Sequence, residues 1–179
     1  MPNDKGAKME LKEVIKNRKS IREYEDTPIK EDKLLRVLEA ARLAPSGANR
    51  QAWKFVVVRD IQRRQKLAQA AEGQTFVAQA PVVIAAVATL PEPMMICGVP
   101  AYAVDLAIAV DHITLAAVDE GLGTCWIGAF SQDAPRKILH IPSKYQIVAL
   151  LPLGFPKEPG RPKTRKALKE IVCYETFKE

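Results

Sequence analysis

The chain is poor in the side chains from which most enzyme sites are built: among 179 residues there are two histidines and three cysteines. Cys97, Cys125 and Cys173 are an odd set with no C-x-x-C spacing. That excludes a disulfide framework, leaves no metal-site signature and makes a cytoplasmic location the expectation. H-E-x-x-H, G-x-S-x-G and Walker A patterns are missing. Long apolar runs are missing too. The most apolar stretch, Val82 to Leu90, is nine residues long and runs into Pro91, Glu92 and Pro93. A membrane helix needs about 20 apolar residues, so this stretch reads as a buried strand and no membrane association is expected. The first residues carry no apolar signal core; residues 1–8 are expected to be a disordered leader and 9–179 a single domain. Aromatic residues make up 6% of the chain. They do not interleave with the basic residues, as single-strand nucleic-acid binding requires, so no nucleic-acid partner is expected.

What is present is globular in proportion, with 47% apolar and 27% charged residues. A chain of this length can bury roughly 70% of its unfolded surface, and needs no covalent staple. Lys plus Arg outnumber Asp plus Glu by 27 to 21, for a net charge of +6. A mild positive balance suits an anionic ligand. The basic residues are scattered, except at Arg18 to Arg22 and Arg161 to Lys169.

Hydrophobic periodicity predicts helices over Met9–Arg18, Glu31–Ala44, Asp60–Ala71, Tyr102–Glu120 and Ala134–Leu139. It predicts strands over Trp53–Val58, Val82–Ala88 and Gln146–Leu153, short extended pieces at Ser20–Tyr24 and Trp126–Phe130, and a last strand at Glu170–Tyr174. Tyr102–Glu120 is apolar nearly all round, the mark of a helix in a core or a subunit interface. Helices and strands mix without a strict βαβ rhythm, so the fold class is α+β, a sandwich around one sheet. Gly121, Gly123 and Gly128 follow a helix at G-x-G-x-x-x-x-G spacing, which is not a dinucleotide fingerprint. Asp105, His112 and Asp119 share one face of the long helix and read as a hydrogen-bonded polar stripe. With so few acid–base side chains, difficult chemistry would need a cofactor.

Three clusters carry chemical information. In an extended Arg18-Lys19-Ser20-Ile21-Arg22, Arg18, Ser20 and Arg22 point one way and Ile21 into the core; two guanidinium groups flanking a hydroxyl can cradle a phosphate. Pro45-Ser46-Gly47-Ala48-Asn49-Arg50-Gln51 offers backbone for close approach at Gly47 and amides at Asn49 and Gln51 that suit a heterocycle edge. Gly154-Phe155-Pro156 precedes Lys163-Thr164-Arg165-Lys166, where two cations again stand two apart. Each cluster alone also reads as an ordinary solvated loop.

Together with Gly121-Leu-Gly-Thr-Cys-Trp-Ile-Gly-Ala-Phe130, and in this order from Leu11 to Tyr174, these residues resemble the nitroreductase family of flavin enzymes. The resemblance implies a three-layer sandwich with a mixed, mainly antiparallel sheet flanked by helices. It implies a homodimer with FMN in clefts at the subunit interface, and a C-terminal strand, here Glu170–Tyr174, exchanged between protomers. It assigns Arg18 and Ser20 to the FMN phosphate, Lys163 and Arg165 to a second phosphate clamp and Arg22 to the flavin pyrimidine edge, with Lys19 among the cofactor-binding residues. Pro45, Ser46, Gly47, Asn49 and Gln51 fall in the loop laid on the partner's ring. Trp126 and Ile127 wall the cleft, Gly128 and Ala129 lie near flavin N5, and Gln74 is an amide contact to the ring. No side-chain catalyst and no metal is expected. The implied activity is ping-pong hydride transfer from NADH or NADPH to a nitroaromatic, quinone, activated alkene or flavin. A flavin sensor without turnover and a specialised flavin enzyme such as a reductive dehalogenase remain as alternatives. Met94, Met95 and Ile96, in the connection from Leu90 to Pro100, are candidate substrate contacts or core plugs.

Overall fold

Strand β2 (Val82–Ala88) is apolar at every position because both of its faces are covered. Val82, Ile84, Ala86 and Ala88 face one helical layer, and Val83, Ala85 and Val87 the other, as the two-residue period of a strand dictates. The computed structural model describes residues 9–92 and 94–179; the expected leader 1–8 and Pro93 lie outside the described residues. β2 pairs antiparallel with β1 (Trp53–Val58) on one side and with β4 (Gln146–Gly154) on the other, and β3 (Gly123–Thr124) adds to β4. The sheet order is β1-β2-β4-β3. All three strand pairs are antiparallel, so the sheet is antiparallel where a mixed one was expected; a parallel contact occurs as the isolated bridge between Ser20 and Thr124. The β2–β4 register shifts at Ala86/Val87. This bulge inserts one residue into β4, so Ile147 and Ala149 face opposite layers.

The first layer holds α2 (Glu31–Arg42) and α5 (Ala101–Asp119), whose Leu34, Val37, Ala41, Leu106, Ala109, Val110, Ile113 and Ala117 pack on the sheet. The short α1 (Leu11–Asn17) lies against α5. The second layer holds α3 (Ile61–Ala70), α4 (Phe76–Gln79) and α6 (Asp133–Leu139), with Leu67, Ala68, Ala71 and Val77 at its core. The three-layer α+β sandwich is therefore present. Among the described residues α5 alone is long and apolar enough to cross a membrane by length and composition. One side of it is built into the core, while Val104, Ala107 and Asp111 on the other side are exposed.

Three expectations are corrected. Residues 126–130 form no strand: the pairing segment is Gly123–Thr124, and Ile127 makes only an isolated bridge to Leu150. Residues 170–174 form no strand either. A 3-10 turn at Leu168–Glu170 leads into irregular chain, because no neighbouring edge within this chain takes the backbone hydrogen bonds a strand must make. Helix α4 was not expected, since one turn of four residues is too short to show a period. Helix α2 stops at Arg42 ahead of the expected end, as the residue before Pro45 is disfavoured in the helical region.

Candidate functional site

The segment Arg18–Tyr24 is fixed from both sides. The Ile21 N–H donates to the Thr124 carbonyl at 2.9 Å, and beyond it the Lys157 N–H donates to the Glu23 carbonyl at 3.1 Å. Ile21 and Tyr24 are buried while Ser20 and Arg22 face outward, the expected alternation. Gly123 permits this close approach: any Cβ there would overlap Ile21 and press on Pro156. The Tyr24 hydroxyl donates to the Ile21 and Pro152 carbonyls, and burial pushes its pKa far above the ordinary tyrosine range.

The C-terminal loop crosses over this segment. Gly160 has φ +70°, and a Cβ there would press on the Ser20 carbonyl and Ile21. Lys163 Nζ donates to the Ile15 carbonyl at 2.9 Å and the Arg18 carbonyl at 3.1 Å. Its ammonium thus ties the loop to the C-terminal end of α1, a structural use that the sequence did not reveal. Desolvation, and then the neighbouring Arg18, Arg165 and Lys19, hold Lys163 below the usual lysine range. Four cations from both ends of the chain thus crowd together and repel one another. Beside them lies a cavity of about 220 Å³ lined by Ser20, Arg22, Glu23, Glu158, Gly160 and Arg161. Arg161 was missed as a site residue, although the alternation Arg161, Lys163, Arg165 was there to read.

Cys125 sits under this cluster. Its thiol pKa is raised by burial, offset in part by Arg22, a hydrogen bond with Ser20, and Arg18. A buried, protonated thiol is inert, which fits a structural role. All three cysteines are unpaired. Trp126, Gly128 and Ala129 are exposed at the end of the β3 connection, whereas Ile127 is buried. The Gly128 N–H has no hydrogen-bond acceptor among the described residues. Gln74 donates one amide N–H to the Ala71 carbonyl at 3.0 Å, which leaves its second N–H and its oxygen for a ligand.

The loop 45–51 stands apart. No hydrogen bond or ion pair joins it to residues 18–22 among the described residues. Instead the Gly47 N–H donates to Asp105 of α5 at 2.9 Å. Ser46 Oγ accepts from the Gln51 N–H, and the Gln51 amide donates to the Asn49 carbonyl and side chain. The polar stripe on α5 is satisfied as expected: Asp105 binds Gly47, His112 Nδ1 meets the Ala40 carbonyl, and Asp119 accepts from the Met9 N–H.

The sequence profile of the Nitroreductase family matches residues 15–102 and 74–155. The NADH dehydrogenase of Thermus thermophilus is 32% identical over 197 residues, covering 93% of this chain and 96% of its own length. A nitroreductase family protein from Clostridium novyi NT superposes with a TM-score of 0.80 at 42% identity, over 84% of this chain and 87% of that one. An FMN-dependent nitroreductase from Clostridium difficile R20291 superposes with a TM-score of 0.80 at 29% identity, over 92% of this chain and 98% of that one.

Proposed function

The chain belongs to the nitroreductase family, and from that membership we propose that it is an FMN-dependent NAD(P)H oxidoreductase acting as a cytoplasmic homodimer. It passes hydride from NADH or NADPH to an electron-poor acceptor: a nitroaromatic, quinone, activated alkene or flavin. The observation that carries this reading is the cationic cluster drawn from both ends of the chain beside the cavity at Ser20 and Arg22. Among the described residues none of Arg18, Lys19, Lys163 and Arg165 makes an ion pair, and a phosphate dianion would relieve their repulsion. The donor set therefore fits FMN. Arg18, Ser20 and Arg165, with Lys19 at the edge and the remaining proton of Lys163, would hold the phosphate. Arg161 adds a further cation. Glu23 and Glu158 only accept hydrogen bonds, which suits a polyhydroxyl chain.

When bound, FMN supplies the hydride-accepting and hydride-donating chemistry, which is why no side-chain nucleophile or acid–base pair is required. Arg22 would place positive charge at the pyrimidine edge, where reduction adds negative charge, and so favour the reduced form. The unpartnered Gly128 N–H is available to orient the ring, with Ala129 beside it and the exposed Trp126 as wall, while Ile127 is buried in the core beneath them and offers no wall surface of its own. Pro45, Ser46, Gly47, Asn49 and Gln51 would come from the second protomer. Exposed apolar residues support that assembly. Val104 on α5, and Leu168, Ile171, Tyr174 and Phe177 in the tail, face solvent in a single chain.

The test is colour followed by turnover. The purified protein should be yellow, with about one FMN per chain, and it should bleach with NADH or NADPH and recolour with a quinone, giving parallel-line steady-state kinetics. Colourless protein that takes up no flavin overturns the reading. Flavin that binds and never bleaches marks a sensor instead, and intersecting lines overturn the ping-pong order.

A further inference from the structure

We propose that Asp105 is a positioning residue that sets the shape of the 45–51 loop, and through it the affinity and electronic environment of the flavin ring. This inference rests on the reading above, that the loop meets the partner protomer's flavin.

The loop is conformationally expensive. Ala48, Asn49 and Gln51 all sit in the left-handed region, with φ of 51°, 54° and 50°. A non-glycine residue there is strained. Such a geometry persists only if its surroundings over-determine it. The bonds made by Ser46 Oγ and the Gln51 amide are internal to the loop and move with it. The side-chain tether from outside is Asp105, which accepts the Gly47 N–H across 58 residues of chain.

Asp105 is itself an anomaly. It is 9% exposed on a helix whose other buried residues are Ala101, Leu106, Ala109, Val110, Ile113, Thr114 and Ala117. A buried carboxylate costs stability unless it is paired, and its partner among the described residues is that one amide. A carboxylate kept in this position for one loop contact reads as an anchor. The carbonyl of Gly47, in the next peptide along, is held as well: Arg50 Nη1 donates to it at 3.4 Å. A Cβ on Gly47 would lie 3.6 Å from Arg50 Nη1 and 3.8 and 3.9 Å from the Asp105 carboxylate oxygens, so both side chains close around this one residue. Helix α5 packs into the core through Leu106, Ala109, Val110, Ile113 and Ala117, so the bond fixes the loop to a helix anchored in the core.

The experiment compares Asp105→Ala, Asp105→Asn and Asp105→Glu with the parent. The readouts are the FMN dissociation constant, from flavin fluorescence, and the visible circular dichroism and midpoint potential at saturating FMN. Alanine removes the acceptor, and the dissociation constant should rise about tenfold, the size of one charge-assisted hydrogen bond. The dichroism band and the potential should shift at saturation. Asparagine keeps an acceptor oxygen in place, though without the charge, and should bring all three readouts most of the way back to the parent. Glutamate keeps the charge but displaces the acceptor by a methylene, and should behave as alanine does. This comparison stands even if the alanine variant does not fold. Parental affinity, dichroism and potential in the alanine variant, or in the glutamate variant, overturn the proposal. Loss of melting temperature in every variant with unchanged flavin readouts overturns it too, since that marks a purely structural residue. A parent protein that itself takes up no FMN overturns the functional reading beneath it, a distinguishable outcome.

Discussion

Arg18 and Lys163 separate two kinds of cationic residue in one cluster. The Lys163 ammonium makes two bonds to main-chain carbonyls, but desolvation and three neighbouring cations work against its charge. In the flavin-free protein these effects offset each other, so Lys163→Ala should leave the melting temperature nearly unchanged. With FMN bound, the repulsion is relieved and both bonds count. The stabilisation that FMN confers should therefore shrink in the variant, in line with its weakened binding. Arg18→Ala should raise the FMN dissociation constant by about tenfold or more, since a charged hydrogen bond is worth roughly 1.5–3 kcal/mol. Thermal melts with and without FMN check both; unchanged FMN stabilisation in Arg18→Ala would remove Arg18 from the cradle. The sequence made the outward alternation of Ser20 and Arg22 legible, because Ile21 is apolar and a strand has period two. It hid the tie from Lys163 to Ile15 and Arg18, which depends on a crossing of chain segments 145 residues or more apart.

At the scale of elements, α2 and the end of α5 are joined by one carboxylate. Glu120 accepts from Arg36 through both oxygens, at 2.5 and 2.9 Å, and Lys33 Nζ donates to its carbonyl at 2.8 Å and its carboxylate at 3.2 Å. The Arg36 hydrogen bond, with help from Lys33, holds the Glu120 carboxyl below its ordinary value of 4.5. A depressed carboxyl contributes stability that is fully present above the unfolded value and is lost as pH falls through the folded one. Glu120→Gln should therefore lower the melting temperature at neutral pH. The gap between parent and variant should narrow below about pH 4.5 and close in stronger acid. A gap independent of pH would show that Glu120 acts through packing alone. The elements themselves were largely legible: β1 and β2 have the predicted limits, and α3 and α6 lie within a residue of theirs. The bulge in β4 and the single turn of α4 were not, because neither leaves a periodic trace over a window long enough to read.

For the whole molecule, the decisive feature is the tail. The sequence Glu170-Ile-Val-Cys-Tyr174 has the composition of a strand, yet among the described residues it pairs with no strand, and Tyr174 and Phe177 are 79% and 85% exposed. Strand propensity expresses itself only where an edge accepts the hydrogen bonds and a surface covers the side chains. The tail thus leaves its apolar side chains uncovered in a single chain, and the loop at 45–51 has no hydrogen bond or ion pair to residues 18–22 among the described residues. If the tail crosses to a second copy, cutting the chain after Lys169 should weaken two properties together. The dimer should dissociate at higher protein concentration in sedimentation velocity, and flavin should be lost on dilution. The fold of each protomer should hardly change, because the removed apolar side chains bury nothing against their own core. A truncated protein with parental dimer affinity and full flavin occupancy would show that the tail docks elsewhere. A drop in melting temperature of the isolated protomer without any change in assembly would show that it closes on its own chain.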